Sequence, residues 1–194
     1  MKFWFCLSSH SHGCSVIPVS LLLWILPFGE RLVAQVVPDT SLGAESSLVR
    51  RTGTPVNGQG QPEIWIEGGA DRGAFLFHSF EAFGVEAGAR VFFNPSESIE
   101  QIFSRVTGSD PSQILGTLGV KGSADLFLLN PNGLFFGPNA RLELGGSFFA
   151  TTGDQISFDN YQFSATAPTP PPPLLTINPP RAIEFGVTSP GPIT

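Results

Sequence analysis

Leu126-Phe127-Leu128-Leu129-Asn130-Pro131-Asn132-Gly133-Leu134-Phe135-Phe136 decides how this chain is read. Two apolar runs flank a polar break, and the residues of the break each constrain the backbone. Asn130 precedes proline and is pushed toward extended geometry. Asn132-Gly133 tolerates the positive φ angles that a tight change of direction between strands needs. The stretch therefore reads as strand, turn, strand. Similar punctuation recurs from Gln113 to Thr152, where Gly116, Gly119, Gly122, Gly137-Pro138 and Gly145-Gly146 leave only short apolar stretches between them. Turns this frequent leave no room for helices.

Working toward the N-terminus, Glu63-Ile64-Trp65-Ile66-Glu67, Ala74-Phe75-Leu76-Phe77-His78 and Arg90-Val91-Phe92-Phe93 are further strands bounded by Gly68-Gly69, Gly73 and Asn94-Pro95. Ser98 to Phe103 fits one helical turn or a strand, and is read as a strand because Thr107-Gly108 and Asp110-Pro111 follow. Residues 35–61 are rich in Gly, Ser, Thr and Pro and are expected to cap or edge the domain. Toward the C-terminus, the proline-rich segment 167–180 favours extended geometry and reads as a loop or linker. Leu174 to Ile177 and Ala182 to Phe185 are strand candidates for a last rung. Short repeated strands of this kind suit a sandwich or a parallel solenoid equally well.

The first 34 residues read as a secretory signal peptide, with Lys2 as its basic start, Val16 to Phe28 as its apolar core and a cut expected between Ala34 and Gln35. Cleavage would remove both cysteines, Cys6 and Cys14, and leave His78 as the single histidine. No disulfide framework or thiolate chemistry is then available, which suits a chain that stays unfolded while it is exported. The remaining 8 basic and 15 acidic residues give a net charge of −7, and Lys121 is the single lysine. That balance argues against a nucleic-acid partner and against binding to anionic lipid.

Fifteen phenylalanines follow residue 34, among them Phe75, Phe77, Phe92, Phe93, Phe127, Phe135, Phe136, Phe148 and Phe149. Most are expected in a stacked core, where each contributes about 1.5–3 kcal/mol. Adjacent pairs such as Phe135-Phe136 face opposite sides of a strand, so in a one-layer fold one member of each pair needs a cover.

No converging set of catalytic groups is evident. His78 has no nucleophile motif beside it, and Gly116-Thr117-Leu118-Gly119 and Gly119-Val120-Lys121-Gly122 lack the helix of a phosphate loop and are read as turns. Glu97 with Glu100, or Glu63 with Glu67, would need a defined cleft to serve as a glycosidase pair or as calcium ligands. No cofactor, no metal and no enzyme activity are expected.

Taken together, Arg105-Val106-Thr107-Gly108, Ile114-Leu115-Gly116-Thr117-Leu118, the stretch from Asp125 to Leu134, Phe136-Gly137-Pro138-Asn139-Ala140-Arg141-Leu142 and Gly145 to Thr152 resemble the N-terminal secretion domain of filamentous haemagglutinins. The resemblance breaks the tie between folds. It implies an all-β, right-handed parallel β-helix over residues 35–194, with an N-terminal cap and small extra-helical hairpins. It also implies two-partner secretion of an adhesin-type protein: export by the general secretory machinery, recognition by the periplasmic domains of an outer-membrane β-barrel transporter, and folding outside the cell. The β-helix would then template a passenger, which this sequence is expected to lack. Asn130, Pro131, Asn132, Gly133 and Leu134 map onto the family signature Asn-Pro-Asn-Gly-Ile, with Leu134 in place of Ile. A second signature, Asn-Pro-Asn-Leu, matches only at Asn94-Pro95, because Ser96-Glu97 departs from it. Both motifs are open to two readings, as turn formers and as contacts to the transporter. The alternatives are a carbohydrate-active or glycan-binding β-helix, whose glycans the sequence does not identify, and a truncated fragment of a large exoprotein.

Overall fold

The computed structural model describes residues 35–52, 63–172, 178–186 and 189–194. The signal-peptide reading and the strand proposed at Leu174 to Ile177 fall outside the described residues. The first strands are β1 (Val36–Pro38) and β2 (Ser47–Arg51), with a 3-10 turn at Gly43–Glu45 between them. From β3 (Glu63–Gly68) onward the chain winds around three faces. β4 (Ala70–Arg72) turns back antiparallel onto β5 (Phe75–Phe83), which opens face 1. β6 (Arg90–Phe93) lies parallel to β3 on face 3. The next turn runs through β7 (Gln101–Val106) on face 1, β8 (Ser112–Ile114) on face 2 and β9 (Thr117–Val120) on face 3. The turn after it repeats the circuit as β10 (Asp125–Leu129), β11 (Leu134–Phe136) and β12 (Arg141–Glu143), and β13 (Phe148–Thr151) then returns to face 1.

Every step from one of these turns to the next is parallel, so the fold is an all-β solenoid of about four turns. The register places Phe77 beside Phe103, Phe103 beside Phe127 and Phe127 beside Phe149, so successive turns consume 26, 24 and 22 residues. Parallel pairing holds because two stacks of side chains lock it from either side. Inside, Leu76, Ile102, Leu126 and Phe148 form one column, and Ile64, Val91 and Leu118 form another, which ends at the exposed Leu142. A slip of one residue would turn each column outward, and burying each aliphatic side chain contributes about 1.5–3 kcal/mol.

Outside face 1, Phe77, Phe103, Phe127 and Phe149 form a ladder with neighbouring ring centroids 5.3, 4.7 and 4.5 Å apart. These offset stacks add attraction beyond the area they bury. The Phe77 and Phe103 end of the ladder is covered from outside the solenoid, although neither ring belongs to an adjacent Phe pair. β14 (Gln155–Ser157) and β15 (Gln162–Ser164) form an antiparallel hairpin that lays Phe158, Tyr161 and Phe163 on Phe77, and Phe158 also on Phe103. Phe149, at the end of the ladder, stays 45 % exposed, and Phe135 is 41 % exposed, so these two depart from the expectation of a buried aromatic core.

The N-terminal end is capped as expected, by β1 antiparallel to β5 and β2 antiparallel to β3. Three local readings are corrected. Strand β7 begins only at Gln101, because Ile99 N donates to Ser96 O at 3.1 Å and holds the preceding residues in a turn. Gly119 lies inside β9 and is not a turn residue: its missing side chain leaves the space that the Phe92 ring fills. The strand β16 (Ala182–Glu184) adds no rung, because it pairs antiparallel with β14 at the edge of the cover. Gly191 to Thr194 does extend the solenoid. Ile193 bridges parallel to Leu134, with Leu134 N donating to Pro192 O at 2.9 Å and Thr194 N to Leu134 O at 3.0 Å.

Candidate functional site

The turn at residues 130–133 is the corner between faces 1 and 2, where β10 hands over to β11. Asn130 closes the corner and is fully buried. Its Nδ2 donates to Asp110 O and to Ser112 Oγ, each at 3.0 Å, so it ties its own corner to the turn beneath. Its Oδ1 accepts the Asn132 backbone N–H at 3.0 Å, an Asx turn that mimics a backbone reversal. Gly133 has φ 121°, a conformation a side chain would strain, and its N–H donates to Asn130 O at 3.1 Å. Leu134 then enters the interior, fully buried. Within this motif the Asx turn at Asn130 and the positive φ of Gly133 agree with the local rules for Asn and Gly at turns.

Asn132 is the exposed member. Its Nδ2 donates to Gly108 O at 2.7 Å, one turn below, and Gly108 belongs to the Arg105-to-Gly108 segment. Pro131 and Asn132 stand at the lip of an open groove of about 560 Å³. Thr107, Gly108, Ser109, Thr166, Pro168 and Gly191 also line it, and Gly191 N donates to Pro131 O at 2.8 Å. Among the described residues no ionisable side chain lines it, and it offers hydroxyls, one amide and backbone groups.

Asn94-Pro95 sits elsewhere. It ends β6 at the corner between faces 3 and 1, where Asn94 N donates to Ile66 O at 2.9 Å and Asn94 Nδ2 to Glu67 Oε1 at 3.0 Å. The two motifs therefore occupy different corners, and only the one at Asn130 adjoins the groove.

Behind the groove lies a polar network that sequence spacing did not reveal. Arg105 is fully buried and donates from Nε to Ser79 Oγ at 2.9 Å, from Nη2 to Ser41 Oγ at 2.8 Å, and from Nη1 and Nη2 to Thr169 O at 3.2 Å. Its guanidinium carbon lies 4.5 Å from the Phe163 ring centroid, a cation–π contact. Asp39 accepts from Thr107 Oγ1 at 2.6 Å, Ser41 Oγ at 2.7 Å and Ser79 Oγ at 2.7 Å. Burial works to raise the Asp39 carboxyl, but these hydrogen bonds outweigh it and hold the group below its ordinary value. The one available sequence signal was Arg105-Val106-Thr107-Gly108 itself, an arginine one residue before the end of a strand that carries Ile102, Phe103 and Val106.

Groups considered for catalysis are bound up in structure. His78 is fully buried, its Nδ1 2.9 Å from Ser47 Oγ, and burial pushes its pKa down to about 3. Its Nε2, like Ser104 Oγ in the adjacent register position, has no partner among the described residues. Glu63 accepts from Trp65 Nε1 at 2.9 Å and pairs with Lys121 at 3.1 Å and Arg90 at 3.3 Å. Glu67 pairs with Arg50 at 2.6 Å, so Glu63 and Glu67 act as separate ion-pair partners instead of an acid and base across a cleft. Glu97 and Glu100 are exposed. Among the described residues no three His, Cys, Asp or Glu side chains gather to hold a metal ion.

A search of curated proteins and of solved structures returned no match. The family model described as the TPS secretion domain matches residues 34–194, the stretch that forms the cap, the solenoid and its extra-helical cover. On that match the chain belongs to the TPS secretion domain family, the two-partner secretion domains.

Proposed function

We propose that Pro131 and Asn132, with the groove beside them, are the part of this domain that the transporter's periplasmic domains recognise, and that Asn130, Gly133 and Leu134 hold that surface in shape. Membership in the family assigns a secretion role, not a catalytic one, with an outer-membrane transporter as partner and a route through the periplasm. The observation that carries the finer reading is the division of labour inside the turn. The Asn130 amide is buried with every polar atom bonded internally, whereas Asn132 is exposed at the groove's lip, with its Nδ2 bonded to Gly108 O and Asn130 Oδ1. Asn94-Pro95 is assigned a turn role, because it ends β6 at a different corner, away from the groove.

The proposal extends to folding outside the cell. Among the described residues β12 and β13 end their sheets, with Leu142 44 % and Phe149 45 % exposed, and such edges template a further parallel strand. Delivery to the medium or the cell surface, as an adhesin-type protein, rests on the haemagglutinin resemblance. The test is secretion from a Gram-negative host with and without the cognate transporter. Asn132→Ala should fold with a loss of about 1 kcal/mol and yet export poorly, whereas Asn130→Ala should lose about 2–3 kcal/mol and export together. Normal transporter-dependent export of Asn132→Ala would refute the recognition role.

A further inference from the structure

We propose that Arg105 is a latch that makes docking of the extra-helical cover conditional on prior assembly of the cap and the first two face-1 strands. The cover, residues 152–172, lays Phe158, Tyr161 and Phe163 over the Phe77 and Phe103 rings. Apolar contact of this kind is non-directional and does not fix where the cover sits. Arg105 does. Three segments far apart in sequence meet at its guanidinium: Ser79 from β5, Ser41 from the cap, and the Thr169 carbonyl from the proline-rich strap, 64 residues away. The Tyr161 hydroxyl donates to the same carbonyl at 2.7 Å, and Phe163 offers its ring face to the cation. The strap thus docks onto a prearranged fork.

The order of events follows from the cost of drying a cation. Arg105 makes no ion pair among the described residues, and a guanidinium is stable out of water only when its donors are met. Before β5 and β7 pair, Ser79 is not in place and the guanidinium keeps its water, so Thr169 and Phe163 find no oriented partner, and the strap's only prior anchor among the described residues is Arg72 at Pro171 and Pro172. Once β1, β5 and β7 are stacked, Ser79 and Ser41 hold the fork, and Asp39 fixes both hydroxyls from behind. Thr169 and Phe163 then complete the shell. Closure of the cover is therefore a late and separable step, and an open cover leaves Phe77 and Phe103 uncovered. The timing relative to export rests on the secretion reading, but the latch itself does not.

The test is hydrogen exchange followed by mass spectrometry on the full chain, comparing cover amides such as Phe158 and Ala165 with rung amides such as Leu126. Arg105→Lys keeps the charge but loses the fork. It should speed exchange of the cover amides on the order of a hundredfold and leave the rung amides unchanged. Equal acceleration of cover and rungs would overturn the proposal, since Arg105 would then be ordinary core, and so would unchanged cover exchange. Tyr161→Phe perturbs the latch from the strap side and leaves Arg105 intact, so it decides the question if the lysine variant does not fold. It should speed the cover amides alone by about fivefold, and a global or absent effect would overturn the latch as well.

Discussion

Acidification from pH 7 to pH 5 should destabilise this domain through His78. The side chain is fully buried against Phe80 and Phe93, with ring centroids 6.1 and 5.2 Å away, and burial pushes its pKa down from 6.5 to about 3. In the unfolded chain the imidazole takes its proton near the ordinary value, whereas the folded chain refuses it until far lower pH. The unfolded state therefore binds more protons between these values, and stability falls as the pH falls. The contribution is intact above 6.5 and is lost progressively toward 3, at about 1.4 kcal/mol per pH unit. Between pH 7 and pH 5 the loss from this one group is about 2 kcal/mol.

Urea denaturation of wild type and His78→Leu at both pH values isolates the effect. At pH 7 the variant should lose about 1–2 kcal/mol, because Ser47 Oγ loses its bond to His78 Nδ1 and keeps only the Ser79 N–H at 3.3 Å. At pH 5 it should equal or exceed the wild type, since it has no imidazole to protonate. The carboxylates held at low pKa, Asp39, Glu45 and Glu63, are common to both proteins and cancel in the comparison. Parallel losses in the two proteins between pH 7 and pH 5 would refute the reasoning.

Two further substitutions probe the packing. Phe103→Ala should cost about 3–5 kcal/mol in thermal or urea unfolding, because Phe103 stacks on Phe77 and Phe127 and meets Phe158 edge-on, whereas Phe149→Ala should cost about 1 kcal/mol because that ring is half exposed and stacks on one neighbour. Gly119→Ala should cost about 1–3 kcal/mol by the same assay, since a Cβ there would press into the Phe92 ring and the Glu143 carbonyl, and Phe92→Leu in the same chain should recover part of the loss.

The residues that were legible in the sequence are those whose signals lie in their immediate neighbours. Asn130-Pro131-Asn132-Gly133 announced a corner because the φ requirements of proline and glycine are local. The short runs from Gln113 to Thr152 announced strands because turn residues bound them, and the Gly-rich, Ser-rich start announced a cap. The choice between sandwich and solenoid did not come from spacing. Turns of 26, 24 and 22 residues share no fixed period, and strands buried on both sides show little alternation. That choice came from the resemblance.

Tertiary structure alone decided which side chains meet. It placed Gly191 to Thr194, and not Ala182 to Phe185, beside β11. It buried Asn130 while leaving Asn132 at the groove, two identical residue types with opposite surroundings. It also brought Arg105 to Ser41 and Thr169, each 64 residues distant. The backbone rules that make a turn act over two or three residues, and so a sequence states them directly. Stacking and burial depend on which turn lies above which, and that relation exists only once the chain has wound.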